Sequence, residues 1–445
     1  MSEGQYSSET QRQRFRLYPK YKDSGMKLIG SIPIGWHIKP IFALYERRTQ
    51  RKHKDLPLLS VYRDYGVIPR EDREDNFNRP SLDLSPYQLV ENRDLVLNKM
   101  KTWQGSIAVS ELRGIVSPAY IICRPRHGEH DRYMHYLLRA PSYITQYASL
   151  SYGVRVDQWD LRFEDFRRIQ VLLPPVEDQR AIAAFLDCET RKIDALITKN
   201  EGLIELLQEK RIALITQAVT KGLDPNVPMK DSGVEWLGKI PAHWEVKRLR
   251  HIGMALIGLT YEPADVVGPD EGVLVLRASN VYDARIVLED NVFVKRSIPD
   301  RLITKVGDIL ICARSGSRAL IGKSAKIDKA FVDLTFGTFM IVFRSNYNDY
   351  LFYAFNSTLF NYQSGAFLTS TINQLTLSNL NSFTVPVPPA PEQEAIAVFL
   401  DRETAKIDAL VKKVQEAVQR LKEYRTALIS AAVTGKIDVR DEVRW

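Results

Sequence analysis

Residues Pro174–Thr220 read PPVEDQRAIAAFLDCETRKIDALITKNEGLIELLQEKRIALITQAVT, and residues Pro388–Thr434 read PPAPEQEAIAVFLDRETAKIDALVKKVQEAVQRLKEYRTALISAAVT. Aligned without a gap, 26 of the 47 positions are identical, so an internal duplication organises the chain. Pro-Pro stops whatever precedes each copy and leads stiffly into a helix. The first copy then has no proline until Pro225, and Gly202 is its one glycine before Gly222. Apolar residues recur at helical spacing. The steps from Leu196 to Leu203, Leu207 and Leu214 are seven, four and seven, those of a coiled-coil seam. Leu410, Val414, Leu421 and Leu428 hold corresponding places in the second copy. Asn200 stands in the seam where its counterpart is Val414, and a lone polar seam residue can fix register and partner choice. At about 1.5 Å per residue, some 40 residues make a rod of roughly 60 Å. Such a rod cannot bury its stripe alone, and its own copy is the nearest partner.

A second duplicated element precedes each rod. Lys22-Asp23-Ser24-Gly25 with Gly30, Ile32, Pro33 and Trp36 matches Lys230-Asp231-Ser232-Gly233 with Gly238, Ile240, Pro241 and Trp244. Between lead-in and rod lie two dissimilar stretches, roughly 37–171 and 245–385, each the size of one domain. Both read as α+β. Leu58–Val61, Asp94–Leu97 and Tyr120–Cys123 are strand-like in the first, as are Val273–Leu276, Val292–Val294, Asp308–Ile311 and Phe339–Phe343 in the second. The aromatic stretch Tyr350–Tyr362 reads as a helix. The expected division is 1–171 and 227–385 for the globular domains, the first with a basic N-terminal arm, and 172–226 and 386–445 for the helical regions.

Composition is that of a soluble globular protein, 44% hydrophobic and 26% charged. No apolar run reaches bilayer-spanning length, and the N-terminus, with Arg12, Arg14 and Arg16, lacks an apolar signal core; no membrane association and a cytoplasmic location are the expectation. Cys123, Cys188 and Cys312 form no C-x-x-C pair and read as scattered thiols. The net charge of +8 permits a polyanionic partner without requiring one.

No catalytic constellation is visible. There is no Asn-Pro-Pro-aromatic motif and no Gly-rich dinucleotide turn, so a methyltransferase site is not expected. The histidines show no metal-ligand spacing, and no metal site is expected. Glu245-Val246-Lys247 imitates a nuclease metal triplet but reads as a surface strand. Ser315–Ser324 imitates a phosphate loop, yet five residues separate Gly316 from Gly322 and a strand follows. Groups suited to DNA are more plentiful. The basic run supplies Arg47, Arg48, Arg51 and Lys52, and strand ends of the first stretch add Arg63, Arg70, Lys99, Lys101, Trp103 and Gln104. The second stretch offers Arg277, Ser279, Asn280, Arg314, Ser315, Ser317, Arg318 and Lys323. Arginine pairs bidentately with guanine, Asn and Gln with adenine, and lysine meets phosphate. Singly each is an ordinary loop residue; two such sets on one repeated frame tilt the reading toward double-stranded DNA.

The motif Pro-Pro-x-x-x-Gln-x-x-Ile-x-x-Phe-Leu-Asp-x-x-Thr-x-Lys-Ile-Asp, at Pro174–Asp194 and again at Pro388–Asp408, resembles the helical regions of Type I restriction-modification specificity subunits. So do the endings Ala213–Thr220 and Ala427–Lys436, and the Ile-Pro-x-x-Trp starts at Ile32 and Ile240. Gly307-Asp308-Ile309-Leu310, Trp103-Gln104-Gly105 and Gly114–Tyr120 are similar to positions within that family's target recognition domains. One departure is Lys221 where the second copy has Gly435. The resemblance implies two long helices packed antiparallel as a coiled coil, a pseudo-two-fold repeat, and two target recognition domains that each read half of a split target. It implies a non-catalytic subunit without a cofactor of its own. Two methyltransferase subunits would bring S-adenosylmethionine for adenine methylation, and endonuclease/translocase subunits would bring ATP and Mg for cleavage. A stand-alone bipartite regulator, or a methylation-only subunit, fits the same residues.

Overall fold

The computed structural model describes residues 15–73, 80–153, 159–317, 320–366 and 374–442. By contact the chain forms two units, one from the residues up to Asn200 with those from Glu416 onward, the other Glu201–Gln415.

In the first unit, β1 (Tyr45–Arg48), β2 (Leu95–Asn98), β3 (Ile107–Val109) and β4 (Tyr120–Pro125) form an antiparallel sheet in the order β1-β4-β2-β3. Leu95, Val96 and Leu97 are all fully buried because successive side chains point to opposite faces and both faces are covered. Leu95 and Leu97 join the main core, while Val96 joins a smaller one with Leu59, Val61 and Ile122. Helices α1 (Asp131–Leu138) and α2 (Pro141–Ser149) follow, contributing Tyr133, Leu137 and Tyr143 to the main core. Gln170–Leu173 then pairs with His37–Pro40, and Pro174-Pro175 leads into α3 (Val176–Lys221).

The second unit repeats this order with different residues. Strands β5 (Met254–Ile257), β6 (Ile309–Cys312), β7 (Ser324–Lys326) and β8 (Met340–Arg344) stand as β5-β8-β6-β7. Ile309 and Ile311 face one core, Leu310 and Cys312 another. The expected helix over Tyr350–Tyr362 is two, α4 (Asn348–Phe355) and α5 (Thr358–Ala366). The break falls where Asn356 donates to the Phe352 carbonyl at 2.8 Å and Ser357 to that of Ala354 at 2.6 Å, side chains that compete with helix continuation. Thr384–Val387 pairs with Glu245–Arg248, and α6 (Ala390–Val433) closes the repeat. Glu245-Val246-Lys247 is thus strand, with an internal Lys247–Glu245 ion pair at 2.8 Å.

Both units anchor the rods in the same way. In the first, the Tyr133 hydroxyl lies 3.1 and 3.3 Å from the carbonyl oxygens of Leu172 and Val433, and Asp194 meets Arg425 at 2.8 Å. The end of α6 therefore lies by the start of α3, and the two segments run in opposite directions. In the second, the Tyr350 hydroxyl lies 2.9 and 2.8 Å from the carbonyl oxygens of Val219 and Pro386, and Arg211 meets Asp408 at 3.0 Å. Trp36 and Trp244 are fully buried, each against the glycine that ends a helix: Gly435 (φ +70°) in the first unit, Gly222 (φ +77°) in the second. Lys221 simply carries α3 one residue further before its glycine exit.

The seam needs one correction. Leu196, Leu203 and Leu410 are 48%, 41% and 44% exposed, so they do not pair the helices. The buried stripe runs through Ile193, Ile197 and Leu207 on α3, and through Ile407, Val414, Val418 and Leu428 on α6, at separations of 4, 7 and 10 that keep to one helix face. Leu214 and Leu421 are partly buried against their units' cores. Leu196 and Leu203 each lie one residue, about 100°, off that stripe. Asn200 is half-buried, and its amide donates to the Leu196 carbonyl of its own helix at 2.8 Å.

Candidate nucleic-acid interface

Antiparallel pairing decides which loops share an end of each sheet. In the first unit Arg48 pairs with Ile122, Asn98 with Tyr120, and Leu97 with Ile107. The loop after β1 and the β2–β3 connection therefore leave the same end. Arg51 and Lys52 sit on the former, Lys52 at φ +71°, with the loop held where the Leu89 N–H donates to the Gln50 carbonyl at 2.8 Å. Lys99, Lys101, Trp103 and Gln104 sit on the latter, fixed by Thr102 donating to the Asn98 carbonyl at 2.6 Å. Lys101 and Gln104 are exposed, while Lys99 is half-buried with its backbone bonded to Ala119 and Leu161.

Three neighbours escaped the sequence reading. The Trp159 ring lies 5.0 Å from that of Trp103. Arg162 lies over the Tyr152 ring at 5.6 Å, on the paired strands Ser151–Tyr152 and Asp160–Leu161. Their signal was the alternation of aromatic and basic residues from Tyr152 to Arg162, a pattern suited to a nucleic-acid surface. Arg63 joins this group through Gly105, whose Cβ position lies 3.3 Å from the Arg63 Cγ. Arg70 does not, for it stands at the opposite end of the hairpin Leu59–Tyr62/Gly66–Pro69.

Arg48 is a correction. It turns inward onto Asp94, itself 1% exposed, which also accepts the Glu91 N–H at 2.7 Å. Burial pushes the Asp94 carboxyl up to about 6, with the Glu91 N–H and Arg48 pulling it down. Arg48 is thus part of the interior, whereas Arg47, one residue earlier and on the other face, is exposed and lies over Phe163 at 5.4 Å.

In the second unit Ile257 pairs with Ile341 and Cys312 with Met340, so the segments after β5, after β6 and before β8 share an end. This is the same end, in strand order, as in the first unit. Arg314 is exposed there and lies over the Phe339 ring at 5.1 Å. Phe339 was read as the start of a strand, which begins one residue later. Ser315 accepts the Ser317 N–H at 3.2 Å, and Lys323 is exposed beside Cys312, whose N–H its carbonyl accepts at 2.9 Å. Arg318 lies outside the described residues. Arg277 arrives alongside, since the Gly337 N–H donates to the Leu276 carbonyl at 3.0 Å, but its guanidinium is held by Asp290 at 2.7 Å. Asn280 is the second correction. It is fully buried, accepting the Arg277 N–H at 2.9 Å and donating to the Val287 and Glu289 carbonyls at 2.9 and 3.1 Å. It organises the loop and offers nothing to a base; Ser279 beside it is exposed.

Among the described residues, no group of three or more His, Cys, Asp or Glu side chains is placed to hold a metal ion, and no helix is long and apolar enough to cross a membrane. What the site offers is hydrogen-bond donors, cations and aromatic faces at the loop-bearing end of each sheet.

Residues 295–420, from the approach to β6 into α6, match the Type I restriction modification DNA specificity domain. The chain is related over most of its length to Type I restriction enzyme specificity subunits. It is 24% identical over 375 residues to the MjaVIII specificity subunit of Methanocaldococcus jannaschii, covering 80% of this chain and 84% of that one. It is 28% identical over 207 residues to the EcoKI specificity subunit of Escherichia coli K12, covering 45% of this chain and 44% of that relative. A chain from a structure describing complex assembly and conformational transition of the type I R-M system shares the fold, with a TM-score of 0.68 at 16% identity over 90% of this chain and 98% of its own.

Proposed function

We propose that this chain is the specificity subunit of a Type I restriction-modification complex and reads a bipartite duplex target, one half-site per recognition domain. The supporting observation is the equivalence of the units: the same strand order, with cationic and aromatic loops at the same end of each sheet, on two copies of one helical segment. On this reading the domains are those expected from the sequence, and the paired helices are a frame related by the internal pseudo-two-fold repeat. The chain is non-catalytic and acts in the cytoplasm. Two methyltransferase subunits bind the frame and supply S-adenosylmethionine to an adenine flipped out in each half. Endonuclease/translocase subunits supply ATP-dependent, Mg-requiring cleavage. Arg51, Lys52 and Lys101 meet phosphates, which position the protein, while Gln104, Arg314 and the serines beside it lie at base edges.

Methylome sequencing of cells with and without the gene tests this. The expected result is a split motif carrying methyladenine in both halves that vanishes with the gene. No change in methylation, with no methyltransferase co-purifying, would replace this reading with a stand-alone DNA-binding regulator; methylation without restriction would make it a methylation-only subunit.

A further inference from the structure

We infer that Arg314, held on the ring of Phe339, reads a guanine edge in one half of the target; this rests on the DNA-reading function proposed above. Phe339 is 51% exposed, so its ring is not a core group that happens to touch an arginine. An aromatic face left in solvent beneath a guanidinium fixes the plane of the fork and leaves its N–H edges free.

The backbone beneath that fork is clamped from both sides. The N–H groups of Ala313 and Arg314 lie 2.9 and 3.1 Å from the Phe339 carbonyl oxygen. Arg314 also forms a bridge with Gln374, and the Leu375 N–H donates to the Ala313 carbonyl at 2.7 Å.

Four arginines of this unit are occupied by carboxylates, Arg277 by Asp290, Arg285 by Asp408, Arg296 by Asp265 and Arg344 by Asp308, and of these Arg277 shares the loop-bearing end with Arg314. Arg314 has no carboxylate partner among the described residues. Guanine presents N7 and O6 side by side in the major groove, the acceptor pair that a planar fork matches. Phosphate also accepts two hydrogen bonds from an arginine fork, but the exposed Lys323 can meet a phosphate as a point charge, and selection among duplexes separates the two roles. Arg314 is the specificity-determining group and Phe339 its positioning residue.

Selection from randomised duplexes with the full-length chain, at one fixed salt concentration, tests this with Arg314→Ala, Arg314→Lys, Phe339→Ala and Phe339→Tyr. Thermal unfolding of each variant confirms that it folds. Wild type should select a guanine at one position of one half that both Arg314 variants cease to prefer, by roughly 5- to 150-fold, with every other position intact. Phe339→Ala should lose part of that preference and Phe339→Tyr retain it. An equal loss on all sequences, with the salt slope falling by about one, would make Arg314 a phosphate contact and overturn the inference. So would an unchanged motif in Arg314→Ala. A wild-type chain that selects no motif would sink the DNA-reading function itself, a result distinct from the failure of one position.

Discussion

Replacing Gly435 by alanine tests how the repeated helix is joined to the lead-in motif. Gly435 sits at φ +70°, and an added Cβ would lie against Pro33 Cδ, 2.8 Å from its Cγ and 3.2 Å from Trp36 Cη2. Two costs follow. A left-handed backbone costs an L-residue about 1–2 kcal/mol. Crowding a buried, rigid wall costs about 1–3 kcal/mol more, since Trp36 is 1% exposed and cannot swing away. Gly25, in the same unit, has the same φ of +70° with nothing within 4 Å of its Cβ position. Gly25→Ala therefore bears the first cost alone. The expected losses are about 1–2 kcal/mol for Gly25→Ala and about 2–5 kcal/mol for Gly435→Ala. Urea unfolding followed by tryptophan fluorescence gives both, with the slope unchanged if only native stability moves. Hydrogen exchange should place the Gly435→Ala loss at the end of α6 and at Ile32–Trp36. Gly222→Ala should fall between, because its Cβ would meet the Glu392 carboxylate at 3.1 Å and Trp244 at 3.3 Å, closer than ordinary contact but with no backbone or ring wall within 3 Å. Equal losses for Gly25→Ala and Gly435→Ala would refute the claim that Pro33 and Trp36 wall this site.

Three further outcomes are expected. Asp94 binds its proton more tightly folded (about 6) than unfolded (3.8), so its contribution to stability falls as pH rises through that window and is constant above it. Arg48→Met, which strands the carboxylate, should cost about 3–5 kcal/mol at pH 8 and less at pH 5, where the carboxyl takes up a proton; equal losses at the two pH values in urea unfolding would contradict this. Asp408→Ala should destabilise by about 1–3 kcal/mol and Asp194→Ala by under about 1, since the Asp408 side chain is 21% exposed between Arg211 and Arg285 while that of Asp194 is 52% exposed beside Arg425; the reverse order in the same assay would remove the ion pairs from the account of helix pairing. The triple change Arg51→Ala, Lys52→Ala, Lys101→Ala should weaken binding to all duplexes alike and flatten the salt dependence by about 0.9 per lost phosphate contact; an effect confined to one sequence, read by fluorescence anisotropy across salt, would count against a phosphate role.

The helices and central strands were legible because each is constrained by a period. The run Ile309–Cys312 is apolar at consecutive positions because β6 is covered on both faces, and the strand expected at Asp308–Ile311 is displaced from it by one residue. The seam was misread for a related reason. Leucines and β-branched residues both recur at helical spacing, and Leu196, Leu203 and Leu410 face outward while Ile193, Ile197, Ile407 and the valines of α6 carry the stripe with Leu207 and Leu428. The matched strand order of the two globular parts left no trace in sequence, since hydrophobic patterning specifies which face is buried and not which side chain buries it.

The loop-bearing ends of the sheets are governed by a different rule. Arg47 and Arg48 are chemically identical neighbours, yet one is exposed and the other is locked on a buried carboxylate; what separates them is Asp94, 46 positions away in the chain, which takes Arg48 and leaves Arg47 in solvent. Asn280 looked like a base reader because it is an amide at a strand end, but an amide has enough donors and acceptors to tie a loop together, and here it does so. Arg314 likewise has its neighbour in space, Phe339, 25 positions away in the chain, and no local pattern reports that contact. A loop residue's availability to a ligand is set by whatever else competes for its hydrogen bonds. In this chain the competitors are Asp94, Asp290 and the Val287 and Glu289 carbonyls, all supplied by tertiary structure. The frame of such a protein is therefore written in its sequence twice, while its reading surface is defined only after the interior has taken the polar groups it needs.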